Sequence, residues 1–180
     1  MIAASEKKAL DAALDEYRRR LDAIPDELFK QTPPKGGWSY AEVYNHILQA
    51  DLGSSIAMQK CTQGNAKPDG RKPNLRGRFL LWLGVFPPGK YTVPASVAAR
   101  MPVRKINKEE ARNLLVKCRK RLTELLPVIT EASPERTIAH PALGNFNAVQ
   151  WLKFIRVHTE HHLKQLTKLD KQFAANQSGK

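Results

Sequence analysis

The 180-residue chain carries 30 Lys and Arg against 17 Asp and Glu, a formal net charge of +13, with 42% hydrophobic residues and a pI near 10.0. This composition provides for one hydrophobic core and excludes a wholly disordered chain. No apolar run approaches the roughly 18–20 residues needed to span a bilayer. The basic balance attracts anions, among them nucleic acid, anionic lipid and phosphorylated or carboxylated small molecules, without deciding between them.

Apolar residues at Leu10, Ala13, Leu14, Tyr17, Leu21 and Ile24 recur in steps of three and four, which predicts an amphipathic helix stopped by Pro25. A Pro/Gly loop follows. Ser39 and Glu42 then have the spacing of a capping box that opens a second helix. Its inward stripe is Val43, His46, Ile47, Ala50, Ser54 and Ala57, and it fades near Cys61. Residues 62–106 hold Pro68, Pro73, Pro87, Pro88, Pro94 and Pro102, so no long helix fits there, although short ones are expected around Leu75–Val85 and Pro94–Arg100. From Leu52 to Lys108 there are eleven Lys or Arg and one acid, Asp69, so this stretch concentrates the positive charge.

Asn107 and Glu110 cap a third helix with the stripe Ala111, Leu114, Leu115, Cys118, Leu122, Leu125, Leu126 and Ile129, where Pro127 implies a kink or an early end. After a loop containing His140-Pro141 and Gly144, Asn147 and Gln150 cap a last helix running to about Phe173. Four amphipathic helices, no convincing alternating strand and one long crossover between the second and third helices predict an all-α four-helix bundle. The expected organisation is one domain over residues 1–172, with a basic Pro/Gly-rich insertion at 62–106 and a frayed tail at 173–180. Two cysteines, Cys61 and Cys118, cannot build a disulfide framework, and the N-terminus lacks the apolar stretch of a secretory signal; both features predict the cytoplasm.

The histidines carry the chemistry. His158 and His162 lie four apart on the core stripe Trp151, Ile155, His158, His162, Leu166 and Leu169, opposite a face of Lys153, Glu160, Lys164, Lys168 and Lys171. An imidazole facing the interior without a partner costs roughly 1–3 kcal/mol. His46 repeats the pattern on the second helix, while His161 falls to one side. Three neutral histidines holding a divalent ion, with a fourth position for water, satisfy this geometry. Hydrogen-bonded core histidines satisfy it too, and spacing leaves both readings open. The absence of H-E-x-x-H excludes the zinc-protease pattern.

Gly37-Trp38-Ser39 with Glu42, Val43 and His46, followed by His140-Pro141, Gly144, Trp151 and His158-x-x-His161-His162-x-x-Gln165, resembles the DinB-like superfamily of YfiT-type four-helix bundles over residues 5–60 and 107–172. The resemblance implies a divalent metal, zinc or nickel, held by His46, His158 and His162. It also implies an enzyme that activates water or a low-molecular-weight thiol such as bacillithiol, mycothiol or glutathione, a hydrolase or thiol S-transferase. The insertion is longer than a minimal bundle needs, and no obvious carboxylate stands beside the triad as a general base. Glu42 either orients His46 or only caps its helix; Gln165 either supports His162 or is an ordinary polar residue. His140 either lines the pocket or orders its turn. Trp38, Trp82 and Trp151 read as core or loop anchors, Cys118 as a core residue and Cys61 as exposed.

The expected ligand is a small, anionic substrate, attracted by the basic insertion. The competing readings are a basic helical module that binds nucleic acid, and a homodimeric interaction protein without catalysis.

Overall fold

A computed structural model describes residues 2–63, 71–86 and 95–178. The long helices are α1 (Ile2–Ala23), α3 (Tyr40–Thr62), α6 (Lys108–Ile129) and α7 (Ala148–Ser178); between them come the short helices α2 (Asp26–Phe29), α4 (Leu75–Leu83) and α5 (Ala95–Arg100) and the strands β1 (Ile138–His140) and β2 (Gly144–Phe146). The four long helices form the expected bundle, and the connection between α3 and α6 is its long crossover. Each of α1 and α3 packs against both α6 and α7, so the order around the bundle is α1, α7, α3, α6. No helix among the described residues is long and apolar enough to cross a membrane.

Local chemistry sets the helix starts. The Ser39 hydroxyl accepts the Glu42 backbone N–H while the Glu42 carboxylate takes the Ser39 N–H at 2.8 Å. Asn107 with Glu110, and Asn147 with Gln150, make the same reciprocal pairs. The expected inward stripe of α1 is buried from Leu10 to Ile24, and that of α6 centres on Ala111, Leu115, Cys118 and Leu122. Across the bundle the Tyr44 hydroxyl donates to the Tyr17 carbonyl at 2.7 Å, with the two rings edge-on at 5.3 Å.

Four differences from the sequence expectation have physical reasons. Pro127 does not end α6 before Ile129: in the last turn it costs only its own missing N–H bond to the Thr123 carbonyl, and the helix runs two residues past it. The last helix continues past Phe173 to Ser178. A small antiparallel hairpin, β1 with β2, stands where no strand was expected, since three-residue strands show no alternation to detect. Cys61 is buried, with its thiol directed at the Phe146 carbonyl at 3.7 Å, rather than exposed.

The hairpin seats the crossover. Pro73 bridges to Gly144, the Asn74 N–H donates to the Leu143 carbonyl at 3.0 Å, and the Asn145 N–H to the Lys72 carbonyl at 3.3 Å. Gly144 adopts φ +82°, and a Cβ there would lie 2.4 Å from the Asn74 nitrogen. At Gly77 a Cβ would lie 2.2 Å from the Leu143 carbonyl oxygen, so α4 rests directly on hairpin backbone. At its other end the crossover is held by the Arg104 N–H donating to the buried Asn45 side chain at 2.9 Å. Gly77→Ala is therefore expected to destabilise the protein by about 1–3 kcal/mol through overpacking. Urea denaturation checks this: the midpoint falls while the slope is unchanged.

Candidate metal centre

The neighbouring helices α3 and α7 bring the three expected histidines together. His46 projects from α3, and His158 and His162 project from consecutive turns of α7. Ring centroids lie 5.4 Å apart for His46–His158, 4.9 Å for His46–His162 and 4.7 Å for His158–His162. One ring nitrogen from each falls within 4.8 Å of the others. Nε2 of His158 and Nε2 of His162 are 3.1 Å apart. Donor nitrogens on a tetrahedral ion with bonds of 2.0–2.1 Å stand roughly 3.3 Å apart, so these two are already at ligand spacing.

The ring protons are arranged to suit an ion. Gln165, one turn beyond His162, takes the His162 Nδ1 proton on its amide oxygen at 2.7 Å. That leaves the Nε2 lone pair of His162 aimed at the shared point. On His158, buried Nδ1 has no hydrogen-bond partner, and it faces Asp51 Oδ1, also buried and unpartnered, at 4.0 Å. A cation held between these rings would take the Nε2 lone pairs of His158 and His162, leaving the His158 proton on Nδ1, the side that faces Asp51. The donor set thus fits a divalent metal ion: three neutral imidazoles, with Gln165 hydrogen-bonded behind His162 and Asp51 facing His158.

Burial keeps the rings neutral. It lowers His46 to about 4 and His162 to about 3, the latter with help from the neighbouring His46, and it holds His158 well below the ordinary imidazole range, with His162 and His46 adding to the effect. Phe154 stacks on His158 at 5.3 Å, and Trp38 lies 4.9 Å from His46. Phe86, at the end of the segment after α4, lies 5.9 Å from His158 and 4.8 Å from His161. His161 thus packs beside the cluster without joining it.

Asp51 answers the expectation that no carboxylate stands beside the triad. It is 1% exposed on α3, and burial raises its carboxyl well above the usual range. The Thr159 hydroxyl is shared between Asp51 Oδ2, to which it donates at 2.9 Å, and the Ile155 carbonyl at 2.8 Å, and Asp51 Oδ1 faces His158 Nδ1 at 4.0 Å. The Tyr17 hydroxyl donates to the Thr159 carbonyl at 3.1 Å, so α1 braces the same turn of α7. The sequence signal was present: Asp51 follows Ile47 by four and precedes Ser55 and Met58 on a buried stripe.

The other singled-out residues separate clearly. Both Glu42 oxygen contacts go to its cap, with Oε2 also accepting the Ser39 hydroxyl at 2.6 Å, so Glu42 caps and does not orient His46. His140 orders its turn, its Nδ1 accepting the Ala142 N–H at 3.1 Å, while its ring packs 4.6 Å from Phe154. Cys118 is a core thiol donating to the Leu48 carbonyl at 3.4 Å, and burial pushes Cys61 up to about 11, so neither is a ready thiolate. Trp38 and Trp151 pack as anchors, but Trp82 is exposed.

Comparison with known proteins agrees with this fold. The DinB superfamily model matches residues 9–166. YuaE of Bacillus subtilis (strain 168), an uncharacterized protein, is 23% identical over 160 residues, covering 88% of this chain and 93% of its own length. YfiT of Bacillus subtilis, described as a probable metal-dependent hydrolase with an unusual four-helix bundle topology, superposes with a TM-score of 0.67 at 16% identity, covering 96% of this chain and 87% of its own. TT2238, a four-helix bundle protein, gives a TM-score of 0.54 at 19% identity, covering 92% and 96%. With a family match over most of its length on a bundle of this architecture, the chain belongs to the DinB superfamily.

Proposed function

We propose that the protein is a metal-dependent enzyme of the hydrolase type, with His46, His158 and His162 holding one divalent ion, zinc or nickel. The observation that carries this reading is the convergence of three neutral ring nitrogens within 4.8 Å inside the bundle. The description of YfiT as a metal-dependent hydrolase supports it. Such an ion supplies Lewis acidity, acidifying a water or a low-molecular-weight thiol, or polarising a carbonyl.

The chain's own residues do the rest. Gln165 fixes the His162 tautomer, Asp51 Oδ1 faces His158 Nδ1 at 4.0 Å, and Phe154, Trp38 and Phe86 present apolar walls that limit water around the rings. A thiol co-substrate, rather than water, is the second form of the same reading, and the two raised cysteines leave the thiol to come from outside the chain.

Elemental analysis of protein purified without an affinity tag tests the site. The wild type is expected to hold about one equivalent of zinc or nickel, and His158→Ala less than about a tenth. A wild type that takes up neither ion on titration overturns the proposal. Gln165→Ala is expected to weaken the ion about 10–100-fold, with Gln165→Glu restoring much of the affinity, as a competitive chelator titration would show.

The lowered histidines also set a pH dependence. Between the folded value of about 4 for His46 and the ordinary value of about 6.5, the unfolded chain binds the proton that the folded chain refuses. Stability of the metal-free protein is therefore full above pH ~6.5 and falls as pH drops toward ~4, each such histidine costing about 1–2 kcal/mol by pH 5. Thermal melts of the metal-free protein from pH 7 to 5 are expected to fall more steeply for the wild type than for His46→Leu.

A further inference from the structure

Helix α4 shows the solvent a face that a core helix would hide. Leu75 is 80% exposed, Trp82 77%, and Phe79 and Leu83 each 42%. At about 100° per residue, Leu75, Phe79 and Trp82 share one stripe with Leu83 at its edge, and the exposed Arg76 and Arg78 flank the two sides. The Phe79 and Trp82 rings pack on each other at 6.1 Å.

This face is held outward by the opposite one. Leu80 is fully buried, Gly77 presses against the Leu143 carbonyl, and Asn74 caps the start of the helix. The Gly84 carbonyl at its end accepts from Arg156 Nη1 at 3.1 Å, and Arg156 is itself paired with Glu6 and Glu160 at 2.7 Å each. The apolar face cannot roll inward without releasing these contacts.

We propose that α4 is a membrane-surface anchor, laying Leu75, Phe79, Trp82 and Leu83 into the headgroup–acyl boundary of an anionic bilayer. Charge complementarity identifies the occupant. Residues 71–86 contain Arg71, Lys72, Arg76 and Arg78 and no acid, on a chain of net charge +13. A short basic helix with Trp, Phe and Leu on its outer side is the composition that binds such interfaces.

Two other occupants fit less well. A second copy meeting this face across a two-fold axis would set like-charged flanks against one another. The convex face of a nine-residue helix also offers far less than the roughly 800 Å² per partner of a stable protein interface. Single-stranded nucleic acid would use the two aromatic rings, but it leaves Leu75 and Leu83 without a stacking role.

Co-sedimentation of the full chain with vesicles decides the matter. Binding is expected to vesicles of phosphatidylcholine with about one third phosphatidylglycerol at roughly 50 mM salt, with little binding to pure phosphatidylcholine and weakening as salt rises. Leu75→Ser with Trp82→Ser, and separately Arg76→Glu with Arg78→Glu, are each expected to reduce the bound fraction at least about tenfold. Circular dichroism melts establish that both variants stay folded, as substitutions at exposed positions should. Indole emission of the wild type should shift to the blue on binding, and Trp82→Phe should bind without most of that shift. No sedimentation with anionic vesicles, equal binding to neutral ones, or binding that survives both double substitutions overturns the proposal. So does a dimer that Leu75→Ser with Trp82→Ser converts to monomer in the absence of vesicle binding, or an oligonucleotide complex lost in the same variant when vesicles are not bound.

Discussion

Imidazole rings carried into an apolar helix interface must find polar partners there, and that requirement organises the protein around α3 and α7. His46, His158 and His162 occupy positions where the bundle would otherwise place leucine or isoleucine. Their neighbours are arranged to meet the cost. Gln165 takes the His162 ring proton at 2.7 Å, the Nε2 atoms of His158 and His162 approach to 3.1 Å, and Asp51 stands 4.0 Å behind His158. Nδ1 of His158 and Oδ1 of Asp51 are two of the four buried side-chain atoms left without a hydrogen-bond partner among the described residues, and such atoms concentrate where a structure has work other than stability to do.

The bracing of this region extends through three helices. Tyr17 on α1 donates to the Thr159 carbonyl, Thr159 meets Asp51 of α3, and Tyr44 of α3 returns to the Tyr17 carbonyl. The turn of α7 that carries His158 is thus held from two sides by buried hydroxyls whose protons have defined destinations. Rigidity of that kind is what a convergent donor set needs, since a ring displaced by an ångström no longer points at the common centre.

The fold was legible where the determinants are local. Caps at Ser39, Asn107 and Asn147 fix helix starts within four residues of sequence, and the apolar period fixes which side faces inward, His46, His158 and His162 included. What escaped depends on partners distant in the chain. Asp51 shares a helical stripe with Ile47, Ser55 and Met58, but the Thr159 hydroxyl that meets it lies 108 positions along the chain. Glu42 and Gln165 look alike as polar residues one turn from a histidine; only the structure separates the cap from the ring partner. Trp82 was expected to be an anchor because tryptophan is usually buried, but Gly77 and Leu80 already occupy the packed side of α4 and leave the indole outside. The hairpin is too short to announce itself, although its Gly144 is what lets the crossover lie so close.

The circular order α1, α7, α3, α6 has a bearing on how the molecule is assembled. The two helices that meet at the imidazoles are separated in the chain by the crossover and by all of α6, so nothing near the N-terminus can complete the cluster during synthesis. Thr159 and Asp51 are 108 positions apart. The rings can meet only after the final helix has slid into the slot between α1 and α3, which makes their encounter a non-local, late event in folding. A ligand that grips all three would therefore act as a latch on the finished topology, rewarding the one arrangement in which α7 has reached its place.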